Sequence, residues 1–291
     1  MTGFRVAREE ACAQSSPASS RRSGPPSPVT CPPGHRTATP LGCHRRRVPD
    51  RLCFSGILTR LVTGCSWHVA AYLTGGVSET TLRARRTEWL AAGVFDKLLA
   101  EALAAYDRII GLNLADVAVD GSLHKAPCGG EGTGPNPTDR GKLGWKWSIA
   151  TERWGIPIGW TIAGANRHDA VLLEPTLQAV LDNGLLAEVG TVHLDRGYDS
   201  PATLQRATEL GVGDINCAKK RPPGSSKTKT KTKLKLGLRW PVERTNSWFT
   251  NFGQLRRNTD RYEHQRLGQI ALAVALILTV KLTKWAKRWN T

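Results

Sequence analysis

Three acidic residues stand where carboxylates could meet. Asp120 closes the run Asp116-Val-Ala-Val-Asp120-Gly-Ser122, and Asp195 closes a second run, Thr191-Val-His-Leu-Asp195-Arg-Gly-Tyr198. Asp is disfavoured inside strands, so an Asp ending a β-branched run places its carboxylate at a strand's mouth. Taken alone, Asp120-Gly121 reads more readily as a strand followed by an Asp-Gly turn. The second run and a third acid turn the reading towards a site. Glu243 lies in Arg239-Trp-Pro-Val-Glu243-Arg244. Pro241 suits a first helical turn and Gly253 a C-terminal cap, which predicts a helix of about three turns between them. On it Glu243, Ser247 and Thr250 share a polar face, with Val242, Phe249 and Phe252 towards the other side. Two strands and a helix can bring three carboxylates to one point.

Carboxylates that converge repel one another, so they need raised pKa values or a cation. A hard divalent ion such as Mg²⁺ takes oxygen ligands, keeps several waters and completes its shell with substrate phosphate. Two such ions about 4 Å apart stabilise the attacking and leaving oxygens of an in-line phosphoryl transfer. Other polar residues compete for such a role. Asp169, after Arg167 and His168, suits a helix cap and a site member alike, Asp199, before Pro201, is placed to cap a helix, and His193 is expected to be packed within its strand, so all three are left outside the triad.

At this point the residues resemble a family, the DDE transposases of bacterial insertion sequences, in particular the insertion-sequence-five-like group with a ribonuclease H-like catalytic core. The resemblance covers roughly residues 50–290. It rests on Val119-Asp120-Gly-Ser, Pro135-Asn-Pro-Thr-Asp139-Arg-Gly-Lys-Leu-Gly144 and Gly155-Ile-Pro-Ile-Gly159. Further along come Ala163-Gly-Ala-Asn-Arg-His-Asp169, Leu194-Asp195-Arg-Gly-Tyr-Asp199, Arg239-Trp-Pro-Val-Glu243-Arg, Leu255-Arg-Arg257 and Arg261-Tyr-Glu263. By that resemblance Asp120, Asp195 and Glu243 are the catalytic acids and the metal ligands, for two Mg²⁺ ions with Mn²⁺ able to substitute. Related transposases often carry a Tyr and a Lys where this chain has Leu236 and Thr250. Contacts to DNA are expected from Arg83, Arg85, Arg86, Lys142, Lys146, Arg239, Arg244, Arg256 and Arg257.

The implied activity is binding of an element's terminal inverted repeats, cleavage by metal-activated water, and joining of the 3′-hydroxyl ends to target DNA. The alternatives are a nuclease of the same fold without strand transfer, and a non-catalytic DNA-binding remnant. The implied partners are double-stranded DNA, as element ends and target, and a second copy in an active homodimer. The implied place is the bacterial cytoplasm, at the nucleoid.

Composition agrees with such a partner. The 41 Lys and Arg against 24 Asp and Glu give a formal net charge of +17, and ten Trp include several in basic segments. Such an excess favours a polyanion through counterion release, with a membrane surface or plain solubility as the alternative. Seven scattered Cys contain no CxxC pair, which argues against a disulfide framework or a zinc site and fits a reducing compartment.

The elements that must position the acids follow in order. Residues 1–48 are rich in Ser, Pro, Arg and Gly, with almost no apolar clustering, and are expected to be a disordered tail. Relatives usually carry a folded segment there, so a shifted reading frame is one account of the tail. Residues 49–110 read as a small all-α helix-turn-helix domain. Leu52, Ile57, Leu58, Leu61 and Val62 recur at helical spacing, a short helix spans Trp67 to Leu73, and Thr74-Gly-Gly-Val-Ser78 leads into a helix from Glu79 to about Ala92. An ordinary helical hairpin with a basic solvated face is the alternative. A further helix, about Asp96 to Ile110, leads on.

Residues 111–291 read as the α/β catalytic domain, a mixed sheet flanked by helices, with the Pro127 to Gly144 segment as a loop and a hairpin over Trp145–Thr151 and Ile156–Ile162. Next come a helix from Asp169, the strand at Val192, a helix from Pro201 and a strand at Asp214. The order β-β-β-α-β-α-β-α is the ribonuclease H-like arrangement and puts Asp120 and Asp195 on neighbouring strands. Lys219-Lys-Arg221 and the Lys/Thr alternation from Lys227 to Lys235 are expected to be a basic solvated loop. Leu267 to Leu282 is apolar, yet short of the about 20 residues of a membrane crossing, and predicts a terminal helix packed on the sheet.

Overall fold

A computed structural model describes residues 47–220 and 238–289. Four helices come first, α1 (Asp50–Thr63), α2 (Trp67–Leu73), α3 (Glu79–Ala91) and α4 (Val94–Ile109). The strands are β1 (Asp116–Lys125), β2 (Gly134–Pro135), β3 (Leu143–Thr151), β4 (Pro157–Gly164), β5 (Thr191–Leu194) and β6 (Asp214–Cys217). Helices α5 (Asp169–Asp182) and α6 (Pro201–Glu209) lie among them, and α7 (Trp240–Thr250), α8 (Gly253–Arg256) and α9 (Glu263–Trp289) follow.

The sheet is mixed. β1, β3 and β4 pair antiparallel, while β5 runs parallel to β1 and β6 parallel to β5. Strand β1 is longer than an Asp-Gly turn would allow. It runs through Gly121 to Lys125 against β3, so Asp120 lies mid-strand. The mouth expected at Asp120 exists for another reason: pairing with β5 stops at Ala118↔His193, and β5 itself ends at Leu194. Beyond that register Asp120 and Asp195 face each other across the gap where two parallel strands part.

Both faces of the sheet are covered, which is why β3 reads as a near-continuous buried run. On one face Trp145, Trp147 and Ile149 join a core with α7, α9 and the four N-terminal helices. On the other, Val117, Val119 and Ala150 pack with Leu173, Leu177 and Val180 of α5. Helix α9 is long and apolar enough by length and composition to cross a membrane, but half of its most apolar window is buried. Ile270 to Ala275 and Leu278 are at most 2% exposed, and the helix packs on α4 and β4.

The turn between α2 and α3 has its expected cap, with Ser78 Oγ accepting from the Thr81 N–H at 3.2 Å. Residues 1–46 of the expected tail, and the Lys/Thr alternation, lie outside the described residues. The last two tail residues belong to the fold. Arg47 pairs with Glu88 at 2.7 Å, and Val48 packs against the core and accepts from Arg85 through its carbonyl.

Candidate active site

The three acids lie around the gap between β1 and β5, in three different surroundings. Asp120 is 20% exposed, and its Oδ1 accepts from the Gly121 N–H at 2.8 Å. Asp195 begins a single 3₁₀ turn and accepts from the Gly197 N–H at 2.6 Å, which fixes its carboxylate at the end of β5. Glu243, in the first turn of α7, is 60% exposed. Pro241 in that first turn and the buried Val242, Thr245 and Phe249 hold the helix against the sheet, leaving Glu243 on the open side.

Arg239 stands between Asp120 and Glu243. One of its terminal nitrogens lies 3.7 Å from Asp120 Oδ2 and 4.0 Å from Glu243 Oε1. Among the described residues no three His, Cys, Asp or Glu side chains stand close enough together to hold a metal ion, so in this conformation the guanidinium is the cation the carboxylates share. Burial pushes the Asp120 carboxyl up to about 6, with Asp195 and Asp169 adding to the rise and the Gly121 N–H and Arg239 opposing it. A buried carboxylate beside two others resists ionisation unless a cation joins it, and the donors are all oxygens. Both properties suit a hard divalent ion.

Asp169 belongs to this neighbourhood, one of the two roles its sequence position allowed. The side-chain cap of α5 is His168, whose Nδ1 accepts from the Ala170 N–H at 3.2 Å. Asp169 instead packs its carboxylate against the Cα of Gly121, where any side chain would overlap it. Its Oδ1 accepts from Lys146 Nζ at 2.7 Å, and Lys146 also donates to the Arg167 carbonyl at 2.9 Å. Tyr198, fully buried, is pushed well above the usual tyrosine range by burial and by the charges of Asp169, Asp120 and Asp195.

Other acids, a histidine and several of the cations expected on DNA are engaged within the protein. Asp199 accepts from the Lys220 N–H at 2.7 Å rather than capping α6, and His193 pairs with Asp116 at 2.8 Å. Lys146 is 5% exposed and tied to Asp169, so it does not face solvent. Arg85 and Arg86 are also turned inward: Arg85 pairs with Asp50, and Arg86 with Asp260 at 2.7 Å while stacking on Trp67. Arg244 lies over the rings of Trp240 and Trp248 and donates to the Trp154 carbonyl. Arg83, Lys142, Arg256 and Arg257 are exposed, and Arg239 is 37% exposed.

Comparison with known proteins bears on what this arrangement is. A putative transposase for insertion sequence element IS402 of Burkholderia cepacia is 34% identical over 135 residues, 44% of this chain. The match spans 60% of that relative's length. Among solved structures, the Mos1 transposase paired-end complex with left transposon end aligns over 79% of this chain and 78% of its own, at 11% identity and a TM-score of 0.27. A pre-cleavage Mos1 transpososome aligns over 82% and 81%, at 11% identity and 0.26. Scores that low are no argument for a common fold, and the architecture rests on the strand order given above. The family described as Transposase DDE domain matches residues 114–278, a span that begins just before β1, ends within α9 and contains all three acids. The chain therefore belongs to the Transposase DDE domain family.

Proposed function

We propose that this chain is a DNA transposase: it binds the terminal repeats of an insertion sequence, cleaves DNA there and joins the resulting 3′-hydroxyl to target DNA. The observation that carries the proposal is the meeting of Asp120 and Asp195 where the parallel strands β1 and β5 part, with Glu243 facing them across Arg239. The antiparallel β4-β3-β1 portion continued by parallel β5 and β6 supports a ribonuclease H-like core over residues 111–291.

Asp120, Asp195 and Glu243 would hold the divalent ions, Mg²⁺ or Mn²⁺. When bound, such ions supply charge that stabilises the attacking and leaving oxygens of phosphoryl transfer. The chain's own residues do the rest. The Gly121 and Gly197 amides fix two carboxylates, Glu243 is free to turn inward from its exposed position, and Arg239 can pass from the carboxylates to a DNA phosphate. Arginine suits that exchange because its planar donors match carboxylate and phosphate alike.

Residues 49–110 are the repeat-reading unit in this proposal, docked on the catalytic sheet through a shared core. Helix α3 offers Thr80, Arg83 and Thr87 to solvent, the types that reach base edges and phosphates, while Arg85 and Arg86 brace the helix from within. The working complex would be a homodimer in the bacterial cytoplasm.

The test is incubation of the full chain with labelled repeat-end DNA, a second duplex and Mg²⁺. Cleavage followed by joining is the expected result. Cleavage without joining would reassign the chain to hydrolysis alone, and repeat binding without cleavage would make it a binding remnant.

A further inference from the structure

The described basic side chains divide by what they touch. Arg60 and Arg86 are buried on Asp260, Arg85 on Asp50, and Arg266 donates to the carbonyls of Gly129, Glu131 and Asp260. Lys142, Arg257 and Arg261 are exposed, and no side-chain hydrogen bond or ion pair holds them among the described residues. Arg83 and Lys125 each have one acid, Glu79 at 3.0 Å and Asp139 at 3.7 Å, in exposed pairs worth little against a phosphate.

These cations line two clefts. One, of about 480 Å³, opens between the start of α3 and the segment after α8, with Arg83, Arg257, Arg261 and Tyr262 in its wall. Its acid, Asp260, is already neutralised by Arg60 and Arg86. The second, of about 420 Å³, is lined by Lys125, Lys142 and Arg257 with Asp139. Arg257 lines both, and a β-bridge fixes its backbone to Lys125 at the end of β1. Two clefts joined at one arginine make an elongated basic surface, a shape suited to a linear polyanion more than to a compact ligand. Lys125 stands five residues along β1 from Asp120. At about 3.3 Å per residue that is about 16 Å, the length of about five base pairs at about 3.4 Å each.

We propose that these clefts form one track for the sugar-phosphate backbone of duplex DNA, about five base pairs from the acids, with Lys125, Lys142, Arg257, Arg261 and Arg83 as phosphate contacts. The proposal rests on the DNA reading above and deepens it, since it says where the flanking duplex runs. Lys125 and Arg261 join the contacts for this reason.

The experiment measures binding of the full chain to a fluorescent duplex several turns long across a series of KCl concentrations. The variant is Arg257→Gln with Arg261→Gln, which keeps much of each stem and removes the charge. The control is Arg206→Gln with Lys284→Gln, the same charge change at exposed positions outside both clefts and outside residues 49–110. Thermal midpoints verify folding, and Arg→Lys at 257 and 261 tests rescue by charge. The track predicts that the slope of log affinity against log salt falls by about two in the variant, falls by less than one in the control, and recovers with Lys. Equal slopes in variant and control would overturn the track while leaving DNA binding intact. A wild type that binds no duplex would remove the functional reading as well. Displacement of the duplex by polyglutamate at equal charge concentration would show that any polyanion fits, and would also overturn it.

Discussion

Replacing Asp120 by Asn should make the metal-free fold more stable at neutral pH and leave it unchanged in acid. Burial and the neighbouring Asp195 and Asp169 hold the Asp120 carboxyl up at about 6, against an ordinary 3.8. An acid raised on folding contributes stability that is fully present below pH 3.8 and is lost as pH rises through about 6. A shift of about two units corresponds to about 3 kcal/mol, and the side chain is only 20% exposed, so solvent screening removes little of it. The amide of the Asp120→Asn variant has nothing to ionise, so the two proteins should match near pH 4 and differ by about 2–3 kcal/mol at pH 7.5. For a fold of this size that is about 5–10 °C in thermal midpoint. The assay is melting in EDTA across that pH range, taken as variant minus wild type so that other titrations cancel. Mg²⁺ should then stabilise the wild type at pH 7.5 and not the variant, because only an ionised carboxylate gains from the ion. A difference that does not change with pH, or that appears only below pH 4, would refute the picture of a buried carboxylate strained by its neighbours.

Further outcomes follow from the same contacts. Arg239→Ala removes a cation that lowers the Asp120 pKa, so the midpoint of the wild-type pH dependence should move above about 6; an unmoved midpoint means that Arg239 does not act on Asp120. Gly121→Ala places a methyl on Asp169 Oδ1, forces that carboxylate off Lys146 and leaves a buried ammonium with the Arg167 carbonyl but without its counter-charge. A loss of about 1–3 kcal/mol in urea titration is expected, and none if the pair has no structural role. Arg86→Ala should cost about 3 kcal/mol because Asp260 keeps only Arg60 and Gln269 as partners. Arg83→Ala should leave the melting point within error and weaken repeat binding, so similar melts for the two variants would refute the inward and outward assignment.

What the sequence reveals and what it hides have physical causes. Asp120 and Asp195 are legible because each ends or interrupts a β-branched run, and parallel pairing of those runs brings the acids together. The continuation of β1 is not legible, since Asp-Gly looks like a turn and only pairing with β3 across eight residues keeps the chain extended. The inward turn of Arg85 and Arg86 has a signal in the spacing of Leu82 and Trp89, both buried, with the two arginines between them on one helical face. Their charge masked that spacing, and Asp260, far away in sequence, completes the burial. Lys146 alternates with the buried Trp145 and Trp147, which suggests exposure on a one-sided sheet. Here α5 covers the second face, and Asp169 meets the ammonium there. Long-range acid-base pairs of this kind decide which cations a ligand can meet, and local pattern does not contain them.

Three carboxylates acting as one metal-dependent site are what the proposed function requires, and the direct measurement is Mg²⁺-dependent cleavage of labelled repeat-end DNA by Asp120→Asn, Asp195→Asn and Glu243→Gln, with a gel shift alongside. Each change removes one negative oxygen donor while nearly keeping shape, so cleavage should be lost in all three. DNA binding should persist or tighten, because each protein is one charge less negative beside phosphate. Cleavage at the wild-type rate by any of the three would contradict the three-carboxylate site.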